Sequence, residues 1–500
     1  MQNKITVIGS GVAGLSAASF LAKAGHDVLL LEKNSTIGGR ARKFEENGFL
    51  FDMGPSWYWM PDVFERFYNQ FGHTASDFYE LKRLSPSYRV FWKDNSSDDV
   101  PADLDAFYDW FEKLEPGSTA KLDKFLREAA YKYEVGINDL VHKPSLSITE
   151  FADLRIAKGA FKMHLFSSFS KYIRKHFKHP KIIELLEFPV LFLGAMPKDT
   201  PALYSLMNYA DIKLGTWYPM GGMHKIIEAF EKIAIEQGVK IKTDAEVVGF
   251  EYENNKIVGV KTVDELYKTD VVVSGADYEH TDQTLAKGNS NYTKDYWDSR
   301  LMAPSSLLFY LGVDKKIDGL LHHNLFFDED FNQHAIEIYK EPQWPSNPLF
   351  YVCCPSKTDP SAAPEGKENI FLLMPLAPNV SDDEETREKY FDIIMSRLEA
   401  KTNTSIRDAI VYKRSYCVQD FKSDYHAFKG NAYGLANTLR QTAFLKPKIK
   451  SKKIQNLYYT GQLTTPGPGV PPSIISGEVV AIEVNKTIEK ISKSLENITV

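Results

Sequence analysis

The residues best suited to chemistry stand near one end of the chain, in Gly9-Ser-Gly11-Val-Ala-Gly14, with Glu32 18 residues beyond the last glycine. Each glycine has its own task. Gly9 permits a tight turn, Gly11 lets backbone approach a pyrophosphate, and Gly14 lets a helix pack closely on a strand. The freed N–H groups and the positive end of the helix dipole then face the phosphates. An acidic residue at the spacing of Glu32 reaches ribose hydroxyls. The pattern predicts a bound dinucleotide, and FAD and NAD suit this turn equally.

Elements on either side must hold the turn in place. Ile5 to Ile8 is a short apolar, β-branched run that predicts a buried parallel strand. Residues 12 to 24 read as a helix stopped by Gly25, and Val28 to Leu31 as a second strand ending at Glu32. Residues 60 to 135 read as helical, and residues 150 to 215 as helical, apolar and basic. The stretch 239 to 262 predicts strands joined at Asn254-Asn255, a hairpin or meander. "DVVVSGAD", 270 to 277, is a further buried strand ending in glycine, and 456 to 484 reads as strand, glycine-proline loop and helix. Residues 305 to 424 mix strands and helices around a proline-rich loop at 355 to 364. Nucleotide-type elements thus occur at the start, middle and end. This predicts a discontinuous dinucleotide domain over 1–75, 218–290 and 425–500, with 76–217 and 291–424 forming a substrate and membrane-associated domain.

Composition narrows the class of protein. The chain has 500 residues, beyond one ordinary core, and 43% hydrophobic with 25% charged residues is usual for a globular chain. A net charge of −6 argues against nucleic acid as a partner. The 31 Phe and 26 Tyr suit a large apolar pocket, or simply a large core. Cys353, Cys354 and Cys417 build neither a disulfide framework nor a CxxC zinc site, so no metal is expected and the adjacent pair reads as strand filler. No signal peptide is visible and no apolar run reaches the ~18–20 residues of a spanning helix. A cytoplasmic location is expected.

Three further stretches bear on the cofactor. "IGGRAR", 37 to 42, suits a backbone crossing beside a pyrophosphate. "FDMGPSWYWMP", 51 to 61, sets Gly54-Pro55-Ser56 in a turn bordered by large aromatics. The loop from Thr460-Gly461 to Val470-Pro471-Pro472 leads into the last helix, whose dipole could face a flavin ring. A second G-x-G-x-x-G is missing, so no separate NAD(P)H site is evident.

With the "DMGP" turn, the "GVPPSIISG" loop and "YPMGGMHKIIEAF" at 218 to 230, the chain resembles the FAD-dependent carotenoid desaturases of the bacterial and fungal phytoene desaturase type. These sit in a superfamily that includes amine oxidases. The resemblance implies an α/β fold: a Rossmann-like FAD-binding domain of the glutathione-reductase and amine-oxidase type, with an interleaved mixed α+β substrate domain. It also implies that Gly9, Gly11, Ala13 and Gly14 face the pyrophosphate, that Glu32 binds the adenosine ribose, and that Lys33 lies beside it. Gly39 and Arg40 would contact the phosphates and ribityl chain, and Gly54, Pro55 and Ser56 would border the cofactor. Val247 would touch the adenine side by backbone, and Gly461, Gln462, Val470 and Pro471 would border the flavin. Gln462 stands where the family usually carries an acid, although an amide can still hydrogen-bond there.

The implied reaction is hydride transfer from a polyene to FAD followed by proton loss, with oxygen or a quinone as electron acceptor. A delocalised allylic cation asks for orientation and a dry cavity more than for a strong base. Arg40, Glu184, Glu187 and His224 are the acid–base candidates, and each reads better as structural or solvated; no catalytic residue is assigned. The leading expectation is stepwise desaturation of phytoene toward lycopene. The alternatives are 3,4-desaturation of a hydroxylated or monocyclic carotenoid, a flavin-dependent carotene isomerase, and a carrier of prenylated proteins like the GDP-dissociation inhibitors. A carotenoid must be drawn from a bilayer. The basic stretch 161 to 179, with Lys171, Arg174, Lys175 and Lys178, is suited to peripheral contact with an anionic membrane surface, and equally to a solvated face.

Overall fold

A short first strand that is apolar but for Thr6 from Ile5 to Ile8 has to be buried on both faces, and the fold provides for that. In the computed structural model, which describes residues 2–147, 150, 167–438 and 440–496, Lys4–Ile8 is the centre of a five-stranded parallel sheet. The strand order is Leu457–Tyr459, Val271–Ser274, Lys4–Ile8, Asp27–Leu31, Lys240–Lys242. Ile5 stands opposite both Val271 and Val28. The helices Val12–Lys23 and Val470–Glu496 cover the sheet against each other, so closely that a Cβ on Gly477 would lie 2.6 Å from the Ala13 carbonyl oxygen.

The stretch 239 to 262 behaves as expected. After Lys240–Lys242, an antiparallel meander runs through Val247–Glu253, Lys256–Thr262 and Leu266–Lys268. Asn254 and Asn255 join its first two strands with φ of 49° and 61°, the left-handed pair that lets a two-residue turn follow strand twist.

The reading of 60 to 135 as helical needs correction. Helices do form at Pro61–Gln70, Leu104–Leu114 and Thr119–Val135, but short strands at Leu81–Arg83, Tyr88–Trp92 and Ser97–Val100 lie between them. Tyr88–Trp92 runs parallel to His323–Phe327 and extends a seven-stranded mixed sheet. The rest of that sheet is Ser97–Val100, Phe350–Cys353, Glu368–Leu376, Ser305–Val313 and Ile410–Tyr416. Tyr88–Trp92 also pairs antiparallel with the nearby Ser97–Val100, joined through Asn95 at φ 63°, a local hairpin that a reading of aromatic spacing alone passes over. Of the region 150 to 215, residues 151–166 lie outside the described set. From residue 167 onward the region is helical in short pieces, including Phe169–His176 and Pro180–Glu187. Cys353, Cys354 and Cys417 are free and buried.

The glycine turn separates two effects that the sequence merges. At Gly14, a Cβ would lie 1.9 Å from the Gly9 carbonyl oxygen, a backbone atom held by the sheet. At Gly11, a Cβ would meet nothing within 4 Å. Alanine gains roughly 1 kcal/mol of helix propensity over glycine, but overlap with a fixed backbone atom costs more than that. Gly14→Ala should therefore lower the thermal unfolding midpoint. Gly11→Val should match the stability of the cofactor-free wild type and fail to retain dinucleotide. Differential scanning calorimetry of the cofactor-free proteins, with cofactor quantitation, distinguishes them; equal stability losses would refute the division.

Candidate active site

The helix Val12–Lys23 begins at Gly11 with φ −64° and ψ 169°, with no side-chain cap and no acidic residue in its first turn. Its first N–H groups therefore have no internal partner and face a cavity of about 380 Å³. That cavity runs from the glycine turn to a cluster of aromatic and aliphatic side chains. Fourteen of the sixteen residues expected at the cofactor line it: Gly9, Gly11, Ala13, Glu32, Lys33, Gly39, Arg40, Gly54, Pro55, Val247, Gly461, Gln462, Val470 and Pro471. Gly14 lies behind the turn, where its role is contact with Gly9. Ser56 faces a different, smaller cavity and accepts a hydrogen bond from the Tyr351 hydroxyl at 3.0 Å.

Local backbone geometry explains how the wall is built. Gly9 has φ +88°, and its N–H donates to the Leu31 carbonyl at 2.8 Å, tying the turn to the second strand. Gly39 has φ +56°, and its Cβ would stand 3.1 Å from Gly11 Cα, so two loops meet backbone to backbone at the glycine turn. Glu32 is buried at the end of the second strand. One carboxylate oxygen accepts from the Ser10 N–H (2.9 Å) and hydroxyl (2.6 Å), the other from the Asn34 N–H and side-chain amide (both 2.9 Å). These bonds fix the carboxylate at the cavity wall. Lys33 sends its ammonium away to the Ser423 carbonyl. Val247, the first residue of the meander, lines the cavity beside Glu32, whose carbonyl accepts from the Ala245 N–H at 2.8 Å.

Arg40 is the charged member of the wall. Its guanidinium lies 4.8 Å over the Tyr425 ring and donates to the Asn431 carbonyl at 3.2 Å, while its buried Nε has no partner. Burial lowers its pKa from the ordinary arginine value, opposed by Tyr425 and by Asp277. Burial likewise pushes the Asp277 carboxyl up, although it accepts from the backbone of Phe428 (3.1 Å) and His280 (3.3 Å). A buried, unpartnered N–H on a half-buried cation, open helix N–H groups and a turn with space where a Cβ would be fit a diphosphate. The site accommodates a dinucleotide.

The C-terminal loop supplies a further border beside the first helix, where a Cβ on Gly461 would lie 3.8 Å from the Ala13 Cβ. Gly461 has φ +102° and donates its N–H to the Ser476 hydroxyl at 3.0 Å. Gln462, in place of an acid, donates its amide to Asn431 at 3.2 Å, so it braces the loop that also receives Arg40. The start of Val470–Glu496 faces the cavity at Val470, Pro471, Pro472 and Ser473.

Several wall residues escape a reading of the sequence. Asp277, the stacked His280 and His426 (ring centroids 4.0 Å apart), Tyr425 and Tyr433 come from loops whose partners are remote. Only Asp277 carries a sequence sign, as the residue closing "DVVVSGAD". Glu184, Glu187 and His224 do not line the cavity. Glu187 pairs with Arg174, and burial with the adjacent Glu187 charge raises Glu184 to about 7. His224 rests on Asp52, Nδ1 to Oδ1 3.1 Å.

Behind the cavity, Trp59 is held by a buried chain. Its indole N–H donates to the Thr216 hydroxyl (2.8 Å), which donates to Asp211 (3.3 Å), and the Tyr88 hydroxyl donates to the same carboxyl (2.8 Å). Burial raises Asp211 to about 7, against the two donors. An unfolded aspartate titrates near ~4, so folding takes up a proton between those values and stability falls as pH rises through them. Asp211→Asn keeps an acceptor without the charge. Its stability should gain on the wild type from pH 4 to 8, by on the order of 4 kcal/mol at the top. Urea unfolding across that range gives the comparison, and parallel stability curves would contradict the assignment.

The comparisons agree with this geometry. Residues 12–485 match the model of the flavin containing amine oxidoreductase family. The chain is 41% identical over 479 residues to a carotenoid 3,4-desaturase of Haloarcula japonica, covering 95% of this chain and 97% of that one. It is 31% identical to a 4,4'-diapolycopene oxygenase of a Methylomonas species, covering 96% and 97%. An oxidoreductase from Methanosarcina mazei shares the fold with a TM-score of 0.64 at 18% identity, over 95% of this chain and 99% of that one. The dinucleotide is FAD, and the chain belongs to the flavin containing amine oxidoreductase family as an FAD-dependent oxidoreductase of its carotenoid desaturase branch.

Proposed function

We propose that the protein desaturates a carotenoid polyene, and that 3,4-desaturation near the end of the polyene is its reaction. The observation that carries the substrate class is a second cavity of about 80 Å³ that shares Leu373 and Tyr433 with the cofactor cavity. Phe188, Leu325, Phe327, Phe331, Ile338 and Leu349 make it almost wholly apolar. Its one imidazole, His334, is used up: Nε2 lies 2.9 Å from the Pro375 carbonyl and Nδ1 accepts from the Leu349 N–H at 3.0 Å. A hydrocarbon end gains ~25 cal/mol per Å² on entering such a space, whereas a polar substrate would give up its water for little in return. The regiochemistry is supported by the 41% identity to a 3,4-desaturase along nearly the whole chain. Stepwise desaturation of phytoene toward lycopene is the second reading, favoured by the apolar lining, which suits an end without a hydroxyl.

Bound FAD supplies the hydride-accepting isoalloxazine. The chain's residues do the rest. Gly11 and the first turn of its helix receive the diphosphate, Arg40 balances its charge, and Glu32 with Val247 borders the adenosine. The loop from Gly461 to Pro471 borders the flavin, with Gly54 and Pro55 alongside. Trp57, Trp59, Met207 and Leu308 keep water from the reacting end. Oxygen or a quinone takes up the electrons.

Expression in cells that accumulate phytoene, and separately in cells that accumulate lycopene or its hydrated derivatives, decides between the readings by pigment analysis. Leu373→Trp, at the wall shared by both cavities, should retain FAD and lower turnover at least about tenfold. Unchanged turnover would place the polyene elsewhere. Conversion supported by NAD+ alone without oxygen or quinone would overturn the acceptor assignment.

Peripheral attachment to an anionic membrane belongs to the same proposal. Among the described residues no helix is long and apolar enough to cross a membrane. The helix Phe169–His176 buries Phe169, Tyr172 and Ile173 and exposes Lys171, Arg174 and Lys175, with Lys178 exposed just beyond. Arg174 is committed to the buried Glu187, so the informative variant is Lys171→Gln, Lys175→Gln and Lys178→Gln together. At ~1 kcal/mol per basic residue near such a surface, liposome binding should fall about a hundredfold. Unchanged co-sedimentation would mark the face as merely solvated.

A further inference from the structure

Behind the aromatic end of the cofactor cavity lies a cluster that the flavin reaction does not use. His323 and Cys353 stand directly opposite each other across two antiparallel strands, and His322 precedes His323 at the strand edge. One ring nitrogen of each histidine and the Cys353 sulfur lie within 4.8 Å of one another. All three residues are buried, His323 completely and His322 at 5% exposure.

The histidines are held on one side and left bare on the other. His322 Nδ1 is 2.8 Å from the Thr358 hydroxyl, and His323 Nδ1 is 2.6 Å from the Tyr351 hydroxyl. Tyr351 donates its own proton to Ser56, so it accepts from His323 Nδ1–H, which leaves the lone pair of that ring on Nε2. Nε2 of both histidines is buried with no hydrogen-bond partner. An imidazole nitrogen left buried without a partner is destabilising, and two in neighbouring residues call for an occupant. Anchoring one imidazole nitrogen while the other stays bare is how metal-ligating histidines are oriented. A cavity of about 20 Å³ beside His322 and Cys353, space for one water, leaves a fourth position.

We propose that His322, His323 and Cys353 bind a zinc ion, with a water as fourth ligand. Two imidazoles and a thiolate form a borderline-soft set suited to Zn²⁺ in tetrahedral coordination, with bonds of ~2.0–2.1 Å to nitrogen and ~2.3 Å to sulfur. The donors would close by about an ångström, shared among three side chains. Binding releases the thiol proton to solvent and changes no oxidation state. The ion would tie together the two strands on which Trp57 rests, since the His323 and Trp57 rings stack with centroids 4.0 Å apart.

The test uses the full-length, FAD-loaded protein, incubated with excess Zn²⁺ and freed of unbound ion by gel filtration. Elemental analysis should find one zinc per chain. X-ray absorption at the zinc edge should show one sulfur and two imidazole scatterers. Cys353→Ser should weaken binding at least about tenfold, and His323→Gln likewise, while Cys354→Ser, next in the chain but bonded to Glu368, should bind as wild type. No retained zinc, zinc without a sulfur scatterer, or equal binding by Cys353→Ser would overturn the proposal. Should Cys353→Ser fail to fold, the absorption spectrum of the wild type alone decides.

Discussion

The site depends on one constraint, the contact of backbone with backbone where side chains would ordinarily intervene. Gly14 presses on the Gly9 carbonyl, Gly39 on Gly11, and Gly477 on the Ala13 carbonyl. Each contact brings a separate part of the chain to the start of one helix. Hydrophobic packing alone leaves helices ~8–10 Å apart, too far for a loop at 39, a helix at 12 and a helix at 477 to share one small cradle. Removing side chains at those positions brings them within reach. The N–H groups of the first helical turn are then enclosed without being capped, and an anion there meets donors already in place.

This constraint also explains which features are legible in the sequence. The glycine turn, the meander at 247–262 and the loop before Val470 each carry their geometry in local residue types: glycine at positive φ, paired asparagines, proline at a helix start. Of the residues expected at the cofactor, only Gly14 and Ser56 fall outside the cavity, Gly14 because its task is packing and Ser56 because Tyr351 claims it. The features that stay hidden depend on distant partners. The hairpin of Tyr88–Trp92 and Ser97–Val100 joins the large sheet through pairing with His323–Phe327, and Tyr425 reaches the wall by stacking on Arg40. Neither leaves a periodicity to read.

The charges obey a similar logic. Arg40 and Asp277 stand half-buried in the same wall, each with its pKa moved toward the neutral form by loss of water. Burying such ions costs several kcal/mol apiece unless they are paired and hydrogen-bonded. Backbone N–H groups satisfy Asp277, and Tyr425 and a carbonyl face Arg40, but its buried Nε has no hydrogen-bond partner. A diphosphate held by Arg40 would offset part of that cost and so couple cofactor binding to the stability of the domain.

The two ends of the combined cavity act as different solvents. One end offers glycine backbone, a half-buried guanidinium and a fixed carboxylate; the other offers Trp57, Trp59, Leu308, Leu373 and an apolar annex beyond Tyr433. A dinucleotide with a charged middle and a flat heteroaromatic end matches this gradient in one direction only, which sets the ring at the boundary with the hydrocarbon space. In such a space a charged acid or base would be held neutral by its surroundings. The acidic candidates at 184 and 187 accordingly lie outside it, paired or near-neutral, and the wall next to the annex is built from rings and aliphatic chains. The proposed function divides labour accordingly: polar residues would hold the cofactor, apolar residues would hold and dry the polyene, and the two would meet at the seam.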